Sequence, residues 1–137
     1  MIARRDWTRK FWDFAGEEYT LLTSVAVLEE LERGDFPNKQ AALDLVSGLQ
    51  LLPNTDEIDL IVDVYILRMV MPADPGGDAR HLALASFHRC DFLLTWNCTH
   101  LANANKFGHI RKVNDILGLY SPSLVTPMEL LGDLYEA

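Results

Sequence analysis

A chain of 137 residues, 49% hydrophobic and 23% charged, is long enough for one domain with a real core and leaves little room for a second, so a single domain over 1–137 is expected. The formal charge of −8 excludes a nucleic-acid binder that works through a bulk positive field. An enzyme that handles phosphates through a metal, or a module for a basic protein partner, remains compatible with it.

The first residues, MIARRDWTRKFWDF, carry charges and tryptophans but no signal-peptide core, so a cytoplasmic location is expected. They read as an amphipathic helix over Ile2–Phe14, with Trp7, Phe11 and Phe14 at helical spacing and a stop near Gly16. EYTLLTS follows as a short buried strand, Tyr19–Thr23. Ser24 can cap a helix Val25–Arg33 that ends at Gly34. Asn38 is placed to cap Lys39–Leu49, and LQLLP is a brief strand closed by Pro53.

NTDEIDLIVDVYILRMVMP opens with a capping-type signal and puts Ile58, Ile61, Val62, Tyr65, Ile66 and Met69 on one helical face. Its apolar run is broken by Asp63 and Arg68 and is too short to span a bilayer, so no membrane partner is expected. ADPGG is a loop. Gly77 or Asp78 starts the alanine-rich helix DARHLALASFHR, and Phe92–Thr95 is a strand. A polar turn, WNCTHLANAN, leads to a helix near Lys106–Leu117, a strand Leu124–Thr126 and a last helix opened by Pro127. Strands alternate with helices and are continuous apolar runs, the pattern of a parallel sheet covered on both faces. In such sheets the working residues collect outside the carboxyl ends of the strands, where Asn97 falls.

Cys90 and Cys98 flank the strand Phe92–Thr95. If it is extended they stand roughly 20 Å apart, beyond disulfide reach, and both are expected to be reduced. PGG at Pro75–Gly77 lacks the lysine and spacing of a phosphate loop. His88, His100 and His109 have no zinc-type spacing, and structural or solvated roles suit them.

Asp78 and His81 are three apart and share one side of their helix. The plainer reading of Asp78 is an acid favouring the positive end of its helix; the plainer reading of His81 is a packing or surface histidine. In VLEELERGD, with Val27, Leu28 and Leu31 inward, Glu29 lies opposite the core and Glu30 flanks it. Glu30, Asp78 and Asn97 could therefore converge at one rim of the sheet. Hard oxygen ligands of this kind suit Mg²⁺ or Mn²⁺, and a divalent cation relieves the repulsion between clustered carboxylates.

The combination DARHLALA…CDFLLTWNCTHLANA resembles the PIN-domain family, more closely the VapC-type ribonuclease toxins of bacterial toxin–antitoxin pairs, and the resemblance extends along most of the chain. EYTLLTSVAVLEELERGD is similar to the family's second strand and following helix, MPADPGGDARHLALA to its third acidic motif, and TWNCTHLANA to a signature of one branch. The resemblance implies a three-layer α/β/α sandwich with a mostly parallel sheet and metal-dependent cleavage of RNA. By position it makes Glu30 the family's glutamate, Asp78 the next acid, and Asn97 the place where many members have an aspartate. All three are expected catalytic and metal-site residues for Mg²⁺ or Mn²⁺. It also implies a cognate antitoxin and a homodimer as partners, and it gives His81 no evident role.

One departure stands out. The family pattern opens with a strand ending in an Asp- or Glu-containing D/E-T-S turn, which supplies a metal ligand and the middle strand. MIARRDWTRKFWDF instead resembles the helical region after it, so the expected sheet lacks its usual first strand. Tyr19–Thr23 and Phe92–Thr95 would then pair with each other or leave backbone groups unpaired, at about 1–3 kcal/mol each if buried. A catalytically impaired module that binds an antitoxin or itself is the alternative function. For RNA, Arg4, Arg5, Arg9, Lys10, Lys106, Arg111 and Lys112 are candidate phosphate contacts, with solvated helix faces as the plainer reading.

Overall fold

Ser24 opens the first long helix by the means its position predicts. Its extended backbone (φ −145°, ψ 164°) lets Oγ accept the Val27 N–H at 3.3 Å, meeting one of the donors that a helix start leaves without an intrahelical partner. The computed structural model describes residues 10–13, 16–35, 37–70, 77–95, 104–127 and 129–130. Within them the order is β1 (Leu22–Thr23), α1 (Val25–Arg33), α2 (Lys39–Ser47), β2 (Gln50–Leu51), α3 (Asp56–Leu67), α4 (Asp78–Phe87), β3 (Phe92–Leu94), α5 (Ala104–Leu117) and β4 (Ser123–Val125). Mixed helix and strand with parallel pairing agrees with the expected α/β class. Among the described residues no helix is long and apolar enough to cross a membrane.

Both ladders are parallel: β1 pairs with β2 and β3 with β4. Among the described residues no ladder joins β1 to β3, so of the two alternatives for these strands, pairing with each other is not the one seen. Nor are the strands covered on both faces as their apolar letters suggested. Leu22, Leu51 and Phe92 are exposed, on strands only two or three residues long. The two ladders are bridged by side chains instead. Tyr19 meets Phe92 edge-on at 5.9 Å between ring centroids, and Leu21, Leu94 and Val125 pack on Phe11 and Leu130.

The main core lies under α4. Ala79, Leu82, Ala83, Leu84, Ala85 and Ser86 are all buried, so this helix is covered nearly all round, as an alanine-rich element permits. It packs on α3, β3 and α1. Ile58, Ile61, Val62 and Tyr65 are the inward face of α3, as the spacing predicts. Met69 is not part of that face: it is 80% exposed. The reason is backbone geometry. Met69 adopts φ 58°, its N–H reaches Ile66 O, and Val70 N–H reaches Tyr65 O at 2.8 Å. This is a Schellman closure. It turns Met69 outward and drives Val70, with no exposed surface, into the core.

The same closure ends α4, with Arg89 at φ 58° and Cys90 N–H on Ala85 O, and it ends α5 at Gly118. The helices therefore stop at Leu67 and Phe87, short of Met69 and Arg89. At the far end of the described chain Thr126 and Glu129 form a reciprocal capping box, each backbone N–H bonded to the other's side chain at 3.1 Å, around Pro127.

Two smaller expectations also change. Residues 16–18 are helical; Gly16 has no positive φ and so does not turn the chain as a helix-ending glycine would. Asn38 precedes α2 in the left-handed region (φ 63°) with no side-chain cap bond, and α2 ends at Ser47. The Ile2–Phe14 helix lies outside the described residues except at 10–13, which are helical.

Gly108 and Gly118 provide a direct test of backbone against contacts, since a Cβ at either would meet nothing within 4 Å. Gly108 is exposed inside α5, so Gly108→Ala should stabilise by about 0.5–1 kcal/mol. Gly118 sits at φ 71°, so Gly118→Ala should cost about 1–2 kcal/mol. Urea midpoints of the two variants are expected to move in opposite directions.

Candidate functional site

The carboxyl end of β1 runs straight through Ser24 into α1, and the start of α4 faces it. That apposition determines where the acids lie. Glu30 is exposed on the second turn of α1. Ala26 is buried, and Val27, Leu28 and Leu31 are half-buried against the body. Asp78 is the first residue of α4, where an acid complements the positive helix end, and Gly77 rather than Asp78 occupies the cap position.

His81, one turn into α4, carries the link between the two helices. Its Nε2 lies 2.6 Å from Glu30 Oε2, across 51 residues of sequence. A carboxylate can only accept, so the ring nitrogen is the donor. The two partners differ in freedom: the imidazole is 12% exposed and the carboxylate side chain 57%. Asp78, at i−3 from His81, stands about 5–6 Å from it between Cβ atoms. The structure thus brings Glu30 to His81; among the described residues it shows no contact between Glu30 and Asp78. Asn97, the third expected residue, lies outside the described residues, as do Cys98, His100, Arg4, Arg5 and Arg9.

The other described histidines behave differently. His88 Nε2 meets Pro53 O at 2.7 Å and His109 Nε2 meets Arg68 O at 2.9 Å. Both nitrogens donate to carbonyls at the margins of secondary structure, in keeping with the structural roles expected. Lys106 Nζ donates to Val70 O at 3.3 Å, which favours an anchoring role over a phosphate contact. Cys90 is a free, half-buried thiol, and burial, followed by the neighbouring Asp91 charge, pushes its pKa up.

Arg80, which sequence reasoning did not single out, ties this rim to α3. Its guanidinium meets Asp59 at 2.8 Å and Asn54 at 3.0 Å. A cavity of about 240 Å³ opens beside it, lined by Ser24, Glu29, Asn54 and Arg80 among others. The only sequence signal for Arg80 was its place in the same turn as Asp78 and His81.

As donors, Glu30 and Asp78 offer the hard carboxylate oxygens that Mg²⁺ and Mn²⁺ take. Mg²⁺ commonly uses one or two protein carboxylates together with waters and substrate phosphates. Among the described residues no three His, Cys, Asp or Glu side chains gather into a metal-holding group. Glu30, His81 and Asp78 are all among those residues, so the structure does not gather these three around one cation-sized gap. No family model matches the chain, and no curated protein or solved structure matches it significantly.

Proposed function

We propose that the chain is a PIN-like, metal-dependent endoribonuclease, the toxin of a type II toxin–antitoxin pair, whose fold is an α/β/α sandwich. The observation that supports this is the 2.6 Å contact between Glu30 and His81, which joins the acid that follows β1 to the first turns of α4, where Asp78 stands. The ladders are parallel, and open α/β sheets hold their working groups outside the carboxyl ends of such strands. Glu30 and Asp78 would hold Mg²⁺ or Mn²⁺, with Asn97 as a weaker neutral partner. When bound, such an ion supplies Lewis-acid polarisation of a phosphoryl oxygen and a more acidic water. The protein's own part is to present two carboxylates, fix one of them through His81, and leave the rim open to an RNA backbone. Partners in this reading are RNA, a cognate antitoxin and a second copy of the chain.

Incubation of the purified chain with single-stranded RNA and Mg²⁺ or Mn²⁺ tests it. Cleavage should require the metal and disappear in Asp78→Asn. Metal-stimulated cleavage undiminished in that variant would remove the assignment.

A second reading is favoured by one observation: the Glu30 carboxylate already has a strong partner in His81. In that reading the chain is a catalytically impaired module that binds an antitoxin or itself. Capture of a small basic protein, together with no measurable divalent-metal binding, would support it over the nuclease.

A further inference from the structure

We propose that the outer face of α3 docks a basic amphipathic helix of another protein. Leu60 and Leu67 are the apolar anchors, and the acids beside them take lysine or arginine side chains. Ile58, Ile61, Val62 and Tyr65 are buried and fix which side of this helix looks inward. Leu60 and Leu67 are seven residues apart and share one line on the opposite side. They are 65% and 79% exposed, with half-buried Val64 between them at helical spacing. A single exposed leucine is ordinary. Two on one stripe, with a third apolar residue between, form a patch of the kind that marks an interaction site.

The charge beside that stripe decides the partner. α3 holds Asp56, Glu57, Asp59 and Asp63 and no lysine or arginine, and all four acids are exposed. The helix start accounts for the first three, since acids favour its positive end, and Asp59 also meets Arg80 at 2.8 Å. Neither reason reaches Asp63, which lies beyond the first turn and in line with Asp56. Among the described residues Asp59 is the only one of the four in an ion pair. RNA and anionic membranes carry the same sign as these acids. A second copy would set two rows of carboxylates along one seam, in a chain whose net charge is already −8. A helix with apolar residues at i, i+4 and i+7 and basic ones alongside meets both halves of the face, and the opposed charges set its register. Whether Glu30 and Asp78 hold a metal has no bearing on this surface.

The test is titration of the full chain with a fluorescein-labelled helical peptide of leucine, alanine and lysine, about 18 residues long, read by anisotropy. A counterpart with glutamate for every lysine is run beside it. Wild type should bind the lysine peptide and not the glutamate one. The double substitution Leu60→Ser and Leu67→Ser should weaken binding about tenfold or more. Asp63→Lys should weaken it about three- to tenfold at low ionic strength, with the difference fading as salt rises. Asp44→Lys makes the same charge change at an exposed position of α2 and should stay within about twofold of wild type. Circular dichroism establishes that each variant is folded, and the leucine and Asp63 variants decide separately should one of them unfold. A loss in Asp44→Lys equal to that in Asp63→Lys would reduce the effect to net charge and overturn the proposal. So would leucine variants that bind as wild type does, or a wild type that ignores the lysine peptide. Sedimentation showing wild-type self-association that the leucine substitutions abolish would assign the face to a second copy and overturn it as well.

Discussion

Asn114→Ala is expected to cost about 3–5 kcal/mol of folding stability. Asn114 is fully buried in α5. Its Oδ1 accepts the Tyr65 hydroxyl of α3. Its Nδ2 donates to Ser86 Oγ of α4 at 3.1 Å and to Ser121 Oγ at 3.1 Å, with Tyr120 O at 3.4 Å. One amide therefore ties three helices and the approach to β4. Removing it takes an acceptor from the buried phenol, which keeps Ser86, and a donor from buried Ser86 and half-buried Ser121, at about 1–3 kcal/mol for a buried group left short, and opens a void besides. The remaining Ser86 partner of the phenol and the partial exposure of Ser121 keep the total below the simple sum. Asn114→Leu separates the two contributions: it fills the volume and leaves the polar groups stranded, so it should recover little. Urea denaturation of both variants checks this, and a leucine variant as stable as wild type would show that packing, not the network, matters there.

Tyr65 adds a pH signature to the same network. Burial, opposed by the hydrogen bonds with Ser86 and Asn114, pushes its phenol up to about 12 from 10.0. The folded state thus holds this proton more tightly than the unfolded chain. The resulting stability is fully present below pH 10, declines as pH rises, and is gone above about 12. At about 1.4 kcal/mol per unit this is roughly 2–3 kcal/mol lost over that window. Tyr65→Phe should start about 1–2 kcal/mol less stable at neutral pH and lose that slope.

The parts of this fold that can be read from letters are those settled by the chemistry of one or two residues. Ser24 and Gly34 bound α1 as expected, and Thr126, Pro127 and Glu129 announce a helix start, because caps are local arrangements between a side chain and a few backbone groups. The ends of α3 and α4 were not legible. Their left-handed closing residues are Met69 and Arg89, where a glycine would have signalled the turn, and at Met69 the closure is secured by the burial of Val70. Strand pairing was illegible for a similar reason: continuous apolar runs mark Leu22–Thr23 and Phe92–Leu94 as strands and say nothing of which edges meet. In the candidate site, helical spacing placed Asp78 beside His81. That His81 would find Glu30 is a tertiary fact about how α1 crosses α4, and no periodicity contains it.

Glu30→Gln and Asp78→Asn are the second pair of large effects. Each keeps the size of its side chain and removes one negative charge. The amide of Glu30→Gln would still offer His81 an acceptor oxygen, and Glu30 is 57% exposed at its side chain, so the fold should lose no more than about 1 kcal/mol. Activity should respond very differently. On the nuclease reading, an outer donor to a metal ligand is worth about 10–100-fold, a carboxylate that itself held the cation would be worth more, and each substitution should lower metal-dependent RNA cleavage by at least about 100-fold, or roughly 2.7 kcal/mol in the barrier. Raising Mn²⁺ should restore part of the loss in Glu30→Gln, where the amide oxygen still points at the rim, and less in Asp78→Asn, where the helix N-terminus favours an anion over a neutral group. Under the interaction-module reading neither charge has a cation to hold. Both variants would then match wild type in Mn²⁺ uptake, and in partner capture to within the small effect of one surface charge, so the same two proteins separate the readings by a hundredfold difference in one assay and near identity in the other.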